Sequence, residues 1–289
     1  MIVRRACLIV ALLLAGCQQP VPSPRYHLGG PYQAQGVWHY PAESYALDET
    51  GLAGIAPSAH APLTTNGEIF DQTILAAAHP TLQLPAIARV TNLENGLSVL
   101  VRINDRGTGN PKRLIEVTRR TAELLRMAAV GRVRVEIVAE DSRQAVEKMS
   151  NAPRLAVVAA PRASVVAVDL APPMGMAGEA QRAAAPVAAK GAADAAPSPA
   201  VFRLPEIVTQ GPARPGRLMV RLDTFEEYHY AAIQNARMGR FKPSIVSLFQ
   251  GRQQQFRTEV GPFDRAEQAE AALDFAFSMG IPDARIVVE

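Results

Sequence analysis

The chain is poor in the residues that carry redox and metal chemistry. Cysteine occurs twice in 289 residues, at Cys7 and Cys17, and Cys7 lies inside an apolar N-terminal run. A processed chain therefore has no possible disulfide, and zinc sites built on thiolates are excluded. Histidine is scarce, with five in the chain, which argues against a multi-histidine metal centre, and neither a metal nor a cofactor is expected. There is no HExxH, no phosphate-binding GxxxxGK[ST] loop, no dinucleotide fingerprint after a strand and no GxSxG. Charge of one sign is also missing. The formal net charge is +3, and Arg4 and Arg5 at the extreme N-terminus supply part of it. A chain this close to neutral lacks the concentrated positive field of a general nucleic-acid binder.

What is there begins with "MIVRRACLIVALLLAGCQQP": a short basic region, an apolar run to Ala15, then small residues and Cys17. This reads as a secretory signal over residues 1–17, because the apolar run is too short for a comfortable membrane span. "LAGC" at 14–17 resembles a bacterial lipobox, in which cleavage before Cys17 exposes its thiol and amine for acylation. Acyl chains on one residue hold a protein on a bilayer at about 0.8 kcal/mol per buried methylene. Gln18 after the cysteine, by resemblance to bacterial lipoproteins, implies sorting to the outer membrane of a Gram-negative cell, facing the periplasm.

Composition divides the rest. Residues 18–30 are polar and proline-bearing, as in a tether; 31–141 are rich in strand signals. Residues 142–214 turn to Ala and Pro, with "AAAPVAAKGAADAAPSPA" at 183–200, and predict a disordered linker. Residues 215–289 read as a second folded segment.

In the first segment "ARVTNLENGLSVLVRIND" alternates apolar and polar residues on both sides of Asn95-Gly96, a tight hairpin signal. "EVTRRTAELLRMA" (116–128) reads as a helix and "VRVEIVA" (133–139) as a strand. A small barrel with one or two helices is the expected architecture. The second segment runs strand, helix, strand, strand, helix, strand, the order of a ferredoxin-like α+β unit. By alternation Leu218, Val220 and Leu222 face its helices, while Met219, Arg221 and Asp223 point outward; Arg257 and Glu259 alternate with Phe256, Thr258 and Val260 in a later strand.

The chemistry left open is that of carboxylates. Glu68 follows the Asn66-Gly67 turn, and Asp105 ends the strand "VLVRIND". Strand parity to residue 105 puts Asp105 on the face of Leu97, Val99, Val101 and Ile103, where partial desolvation suits a general acid. Equally, Asp105 can be a turn residue bonding a backbone N–H, with Glu68 solvated and His79 a loop or core residue.

"TTNGEIFD" (64–71), "AAAHPTLQL" (76–84), "ARVTNLENGLSVLVRINDRG" (88–107) and "KRLIEVTRRTAELL" (112–125) resemble the rare lipoprotein A family. "FRTEVGPFDRAEQAEAAL" (256–273) resembles a SPOR repeat. The resemblance implies a mixed architecture: a six-stranded double-psi β-barrel, a disordered Ala/Pro-rich linker and an α+β SPOR domain of βαββαβ order. It also implies an endolytic peptidoglycan transglycosylase (a lyase) with Asp105, Glu68 and His79 at its site. Asp105 would be the acid/base, and Glu68 would stabilise positive charge or relay protons. Asn66, Arg106 and Arg113 are expected to hold glycan on the barrel, and Arg221, Asp223, Arg257 and Glu259 to hold it on the SPOR sheet, where Arg221 and Asp223 stand in place of the family's usual Gln and Gly. The implied partners are glycan strands stripped of stem peptides, the membrane through Cys17, and division proteins at the septum. Departures are plain: the family's "ASWYG" and "FHG" give way to "AGIAPSAHAPLTTNGE", and Glu116 replaces the usual Asp of "IIDLS". A non-catalytic glycan-binding lipoprotein that scaffolds envelope proteins is the alternative reading.

Overall fold

The computed structural model describes residues 21–58, 61–149, 151 and 201–289. The signal over 1–17 with Cys17, the start of the tether and most of the Ala/Pro linker lie outside these residues. A short hairpin of β1 (Tyr32–Ala34) and β2 (Val37–His39) precedes the barrel strands. These are β3 (Asp48–Ile55), β4 (Ala76–Ala78), β5 (Ala86–Asn92), β6 (Leu97–Asp105), β7 (Ile115–Val117) and β8 (Val130–Ile137).

The alternating sequence makes β5 and β6 an antiparallel hairpin, Ala86 opposite Ile103 through Thr91 opposite Ser98. Gly96 closes it at φ +76°, a conformation cheap only for glycine. The strands follow the order β4-β7-β3-β8-β5-β6, and β4 also pairs with β6, so the sheet closes into a six-stranded barrel. The β3–β7 and β4–β6 pairs are parallel and the others antiparallel. Val90, Val99, Val101, Ile103, Val133 and Val135 fill the interior beside the small Ala53, Ala77, Ala86 and Ala88. That mixture of sizes suits the taper of a small barrel.

Four boundaries differ from those the composition predicts. Residues 116 and 117 of the expected 116–128 helix belong to β7 (Ile115–Val117), because β-branched Ile115 and Val117 complete the ladder between β4 and β3. The helix is only α1 (Arg119–Leu124), and Thr118 caps it by accepting from the Thr121 N–H. The barrel also runs past 141 into α2 (Ala139–Glu147), where the Ser142 hydroxyl accepts from the Ile87 N–H at 2.9 Å. Residues 21–30 are part of the barrel and not a free tether: Ser23 N–H donates to Gly67, Arg25 N–H to Asn66, and His27 pairs with Leu84. Residues 201–214 likewise lie on the barrel, through β9 (Thr209–Gln210) against Leu97 and Ser98 of β6. Main-chain hydrogen bonds hold both straps, and apolar composition does not register those.

The C-terminal module comprises β10 (Leu218–Phe225), α3 (Tyr228–Arg237), β11 (Ser244–Gln250), β12 (Gln253–Phe263), α4 (Ala266–Ser278) and β13 (Arg285–Val288). Its strand order, β11-β12-β10-β13 and antiparallel throughout, is the ferredoxin-like arrangement. Leu218, Val220, Leu222, Val260 and Ile286 are buried in one cluster with Ala269, Ala272, Leu273 and Ala276 of α4. Leu52 and Leu93 of the barrel join the same cluster, and barrel and module form one compact unit. No described helix is long and apolar enough to cross a membrane.

Candidate active site

The site is built on the C-terminal end of β6. Ile103 pairs with Ala77 and Asp105 with Ala78, so Asn104 is an extra residue in the ladder. A bulge of this kind re-aims the next side chain, and it, not simple parity, sets the direction of Asp105. The loop 64–68 lies against this strand end. It is closed by the Leu63–Ile69 bridge and by Gly67 N–H donating to Thr64, and it is tied to β6 by Asn66 N–H donating to Asn104. Gly67 has φ +84°, and a Cβ there would stand 2.3 Å from the Ser23 carbonyl oxygen, so only glycine lets the N-terminal strap cross the loop.

Asp105 is 5% exposed. Its Oδ1 accepts from Thr65 Oγ1 at 2.5 Å, Thr65 N–H at 3.0 Å and Arg106 N–H at 2.8 Å. It lines a depression with Ala56, Thr64, Phe70, Asp71 and Glu116. The enclosed volume is about 10 Å³, room for about one water. A sugar ring would have to lie across this opening and could not enter it.

Glu68 is 1% exposed and its carboxylate is fully occupied. Arg102 Nη2 donates to Oε1 at 2.7 Å and Arg102 Nε to both oxygens at 3.0 and 3.2 Å. Asn66 Nδ2 adds a bond to Oε1 at 2.7 Å and Asn104 Nδ2 one to Oε2 at 2.9 Å. A buried carboxylate held this way has its charge balanced inside the protein. It positions Asn104 and the 64–68 loop, the two elements that cage Asp105.

His79 is 3% exposed, and its main-chain N–H donates to the Asp105 carbonyl at 3.0 Å. Its Nδ1 accepts from the N–H groups of Thr81 and Leu82, both at 3.3 Å. Burial first, then the nearby Arg106 and His39, pushes its pKa down to about 3. The ring is therefore neutral at neutral pH, with its proton assigned to Nε2, and is not a general base of ordinary strength.

Three residues expected to hold glycan on the barrel are engaged by the protein itself. Asn66 is fully buried between Thr64 and Glu68. The Arg106 guanidinium donates to the carbonyls of Leu28, His79 and Leu82, clamping the N-terminal strap. Arg113 pairs with Glu270 of the module at 2.6 Å. On the module sheet the structure brings Arg257, Glu259 and Arg221 into one ladder, extended by Glu289. Asp223 is not part of it. A register shift between Arg221 and Thr224 turns it toward α3, where Gln234 Nε2 donates to it at 2.8 Å. Burial pushes the Asp223 pKa up.

Sequence reading missed Thr65, Arg102 and Asn104. Arg102 and Asn104 fall on the polar side of the alternation, yet both are buried because loop 64–68 covers that side. Glu116 is a longer carboxylate than the family pattern has. It reaches the 107–108 turn, accepting from Thr108 Oγ1 and from Thr108 N–H at 3.1 Å. A Cβ on Gly107 would stand 2.8 Å from it.

Residues 51–137 match the family model described as lytic transglycolase. The chain is 37% identical over 116 residues to the endolytic peptidoglycan transglycosylase RlpA of Rickettsia bellii, covering 39% of this chain and 51% of that one. The protein of the same name from Escherichia coli K12 is 45% identical over 100 residues, 33% of this chain and 27% of that one. The Pseudomonas aeruginosa PAO1 protein is 38% identical over 128 residues, 43% and 37% of the respective chains. The chain thus spans about half the length, or less, of these relatives. The solved RlpA SPOR domain from Pseudomonas aeruginosa aligns with 25% of this chain and 99% of its own, at 17% identity and a TM-score of 0.24. The barrel that carries Asp105 is thus the part of the chain that matches the lytic transglycolase model and is similar to these RlpA proteins.

Proposed function

We propose that the protein is an endolytic peptidoglycan transglycosylase that cleaves between MurNAc and GlcNAc in stem-stripped glycan strands. The observation that carries this reading is Asp105: a carboxyl at the bulged end of β6, oriented through one oxygen by Thr65 and Arg106 and bordering an opening on a lytic transglycolase barrel. In the reaction, protonated Asp105 gives its proton to the glycosidic oxygen as the bond to the MurNAc anomeric carbon breaks. The resulting carboxylate takes the proton of the MurNAc 6-hydroxyl, whose oxygen closes on that carbon. The products are a 1,6-anhydro end and a free GlcNAc 4-hydroxyl, with no water consumed. Thr65 orients the acid, and Glu68 acts through Asn104 and the loop as a positioning residue.

We place the protein at the periplasmic face of the outer membrane, lipid-anchored on Cys17 and acting at the septum beside division proteins. Ser23, bonded to Gly67 of the catalytic loop, stands six residues after Cys17. An extended chain of that length reaches at most about 20 Å, so the anchor would hold the site close to the bilayer. The C-terminal module would supply glycan binding, through the Arg257–Glu259–Arg221 ladder of its sheet.

The test is digestion of stem-stripped strands by wild type and Asp105→Asn. Anhydro-ended oligosaccharides from wild type that fall by about a thousandfold in the variant support the reading. Equal product from both overturns it. A second reading, glycan binding without cleavage, is favoured by one feature, the replacement of an aromatic wall by Ala56 and Pro57 beside so small an opening. Strand binding with no product from wild type would establish it.

A further inference from the structure

A cavity of about 500 Å³ lies where the module meets the barrel. Its walls come from three parts of the chain: Glu49 and Arg134 of the barrel, Arg214 of the strap that follows the linker, and Arg221, Arg285 and Glu289 of the module. The size is that of a small-ligand site, roughly 300–1,000 Å³. The module side is the sheet face of the charge ladder, because Arg221 is the cross-strand partner of both Glu259 and Arg285. The sheet face thus opens directly onto a wall supplied by the barrel.

The two sides are held together by specific contacts. Thr50 Oγ1 donates to the Val288 carbonyl at 2.7 Å and accepts from the Val288 N–H at 3.1 Å. Arg113 pairs with Glu270 at 2.6 Å, Lys112 with Asp274 at 2.7 Å and Arg285 with Glu49 at 3.2 Å. Arg132 donates to the carbonyls of Pro215, Gly216 and Asp264. The buried Leu52 and Leu93 seal the contact.

Resting on the proposed reading, we propose that this cavity is a composite saccharide subsite, in which barrel, strap and module together grip the carboxylated sugars of a stripped glycan strand. The chemistry is matched on both sides. Stem removal leaves a free lactyl carboxylate on every second sugar, and guanidinium groups recognise carboxylates bidentately. Glu49 and Glu289 are acceptors for sugar hydroxyls. Arg214 is exposed and has no carboxylate partner among the described residues, so it is free to meet a ligand. Arg134 pairs with Asp48 at the surface, and such exposed pairs exchange readily for a ligand anion. A stem peptide would turn the lactyl carboxylate into an amide, removing the charge the arginines read. A strand gripped here is held on the same compact unit that carries Asp105.

The experiment is titration calorimetry of soluble stem-stripped strands into the full chain, in an Asp105→Asn background that keeps the strands intact. An uncharged N-acetylglucosamine tetramer serves as the comparison ligand. Arg214→Ala and Arg134→Ala should each weaken strand binding about tenfold and leave tetramer binding unchanged. Unchanged strand affinity in both variants overturns the subsite, as does equal weakening for the tetramer, or no strand binding by the parent chain. Product analysis on the wild-type chain reports separately: tight, arginine-dependent binding without anhydro products supports the subsite while refuting the catalytic reading.

Discussion

Glu68 accepts from Arg102, Asn104 and Asn66 and is shut off from solvent, while Asp105, on the same strand end, keeps its place at an opening. Two carboxylates so differently surrounded respond differently to substitution. Arg102→Ala leaves a buried carboxylate without its charge partner and should cost about 3–5 kcal/mol in denaturant unfolding. Asp105→Asn retains the accepting oxygen and should stay within about 1 kcal/mol of wild type while cutting product formation about a thousandfold. The reverse pattern would mean the roles are exchanged. His79 adds a pH dependence. Its folded pKa of about 3 lies below the 6.5 of an unperturbed histidine, so between those values the unfolded chain binds more protons. Stability from this group is complete above pH 6.5 and is lost as pH falls toward 3, by up to about 1.4 kcal/mol per unit. Burial lowers His27 and His39 with the same sign. Unfolding at pH 7.5 and 5.0 should show a smaller loss in His79→Gln than in wild type, and equal losses would contradict the assignment.

Among the elements, the strap after the linker is the least expected. Arg120 forms a fork with Glu206 through Nε to Oε1 at 2.9 Å and Nη2 to Oε2 at 2.5 Å. Phe202 covers the Arg102 guanidinium at 4.1 Å, and Arg203 reaches Asp71 on the rim of the depression at 3.4 Å. Limited proteolysis should cut residues 201–210 several-fold faster in Glu206→Lys than in wild type, since open segments are cleaved in proportion to their population. No difference would show that the fork does not hold the strap. This element was illegible in the sequence because nothing in "VFRLPEIVTQ" alternates strongly; its hold comes from ion pairs and a two-residue ladder. The β5–β6 hairpin was legible because Asn95-Gly96 and period-two apolar residues agree. The strand before α1 was not, because Ile115–Val117 is three residues long and its ladder partners are remote in sequence. At the site, Asp105 was legible from its place at a strand end. Its true direction depends on the Asn104 bulge, which no local pattern announces.

At the scale of the whole molecule, barrel and module are docked and not merely tethered. Arg113→Glu should place two carboxylates together against Glu270, lowering the unfolding midpoint and enlarging the solution radius seen by X-ray scattering. Adding Glu270→Arg should restore both, because the exchanged pair keeps its geometry. A radius unaffected by either change would mean the docking does not depend on this pair. In the proposed function, one surface of this docked unit reads the strand and one carboxyl, held at the bulged end of β6, cuts it. The most direct measurement is therefore the chemistry of the cut itself. Stem-stripped strands digested in water enriched in oxygen-18 should yield anhydro-ended products without label, and Asp105→Asn should yield about a thousandfold less of them. Labelled reducing ends, or unlabelled anhydro products undiminished in Asp105→Asn, would contradict it.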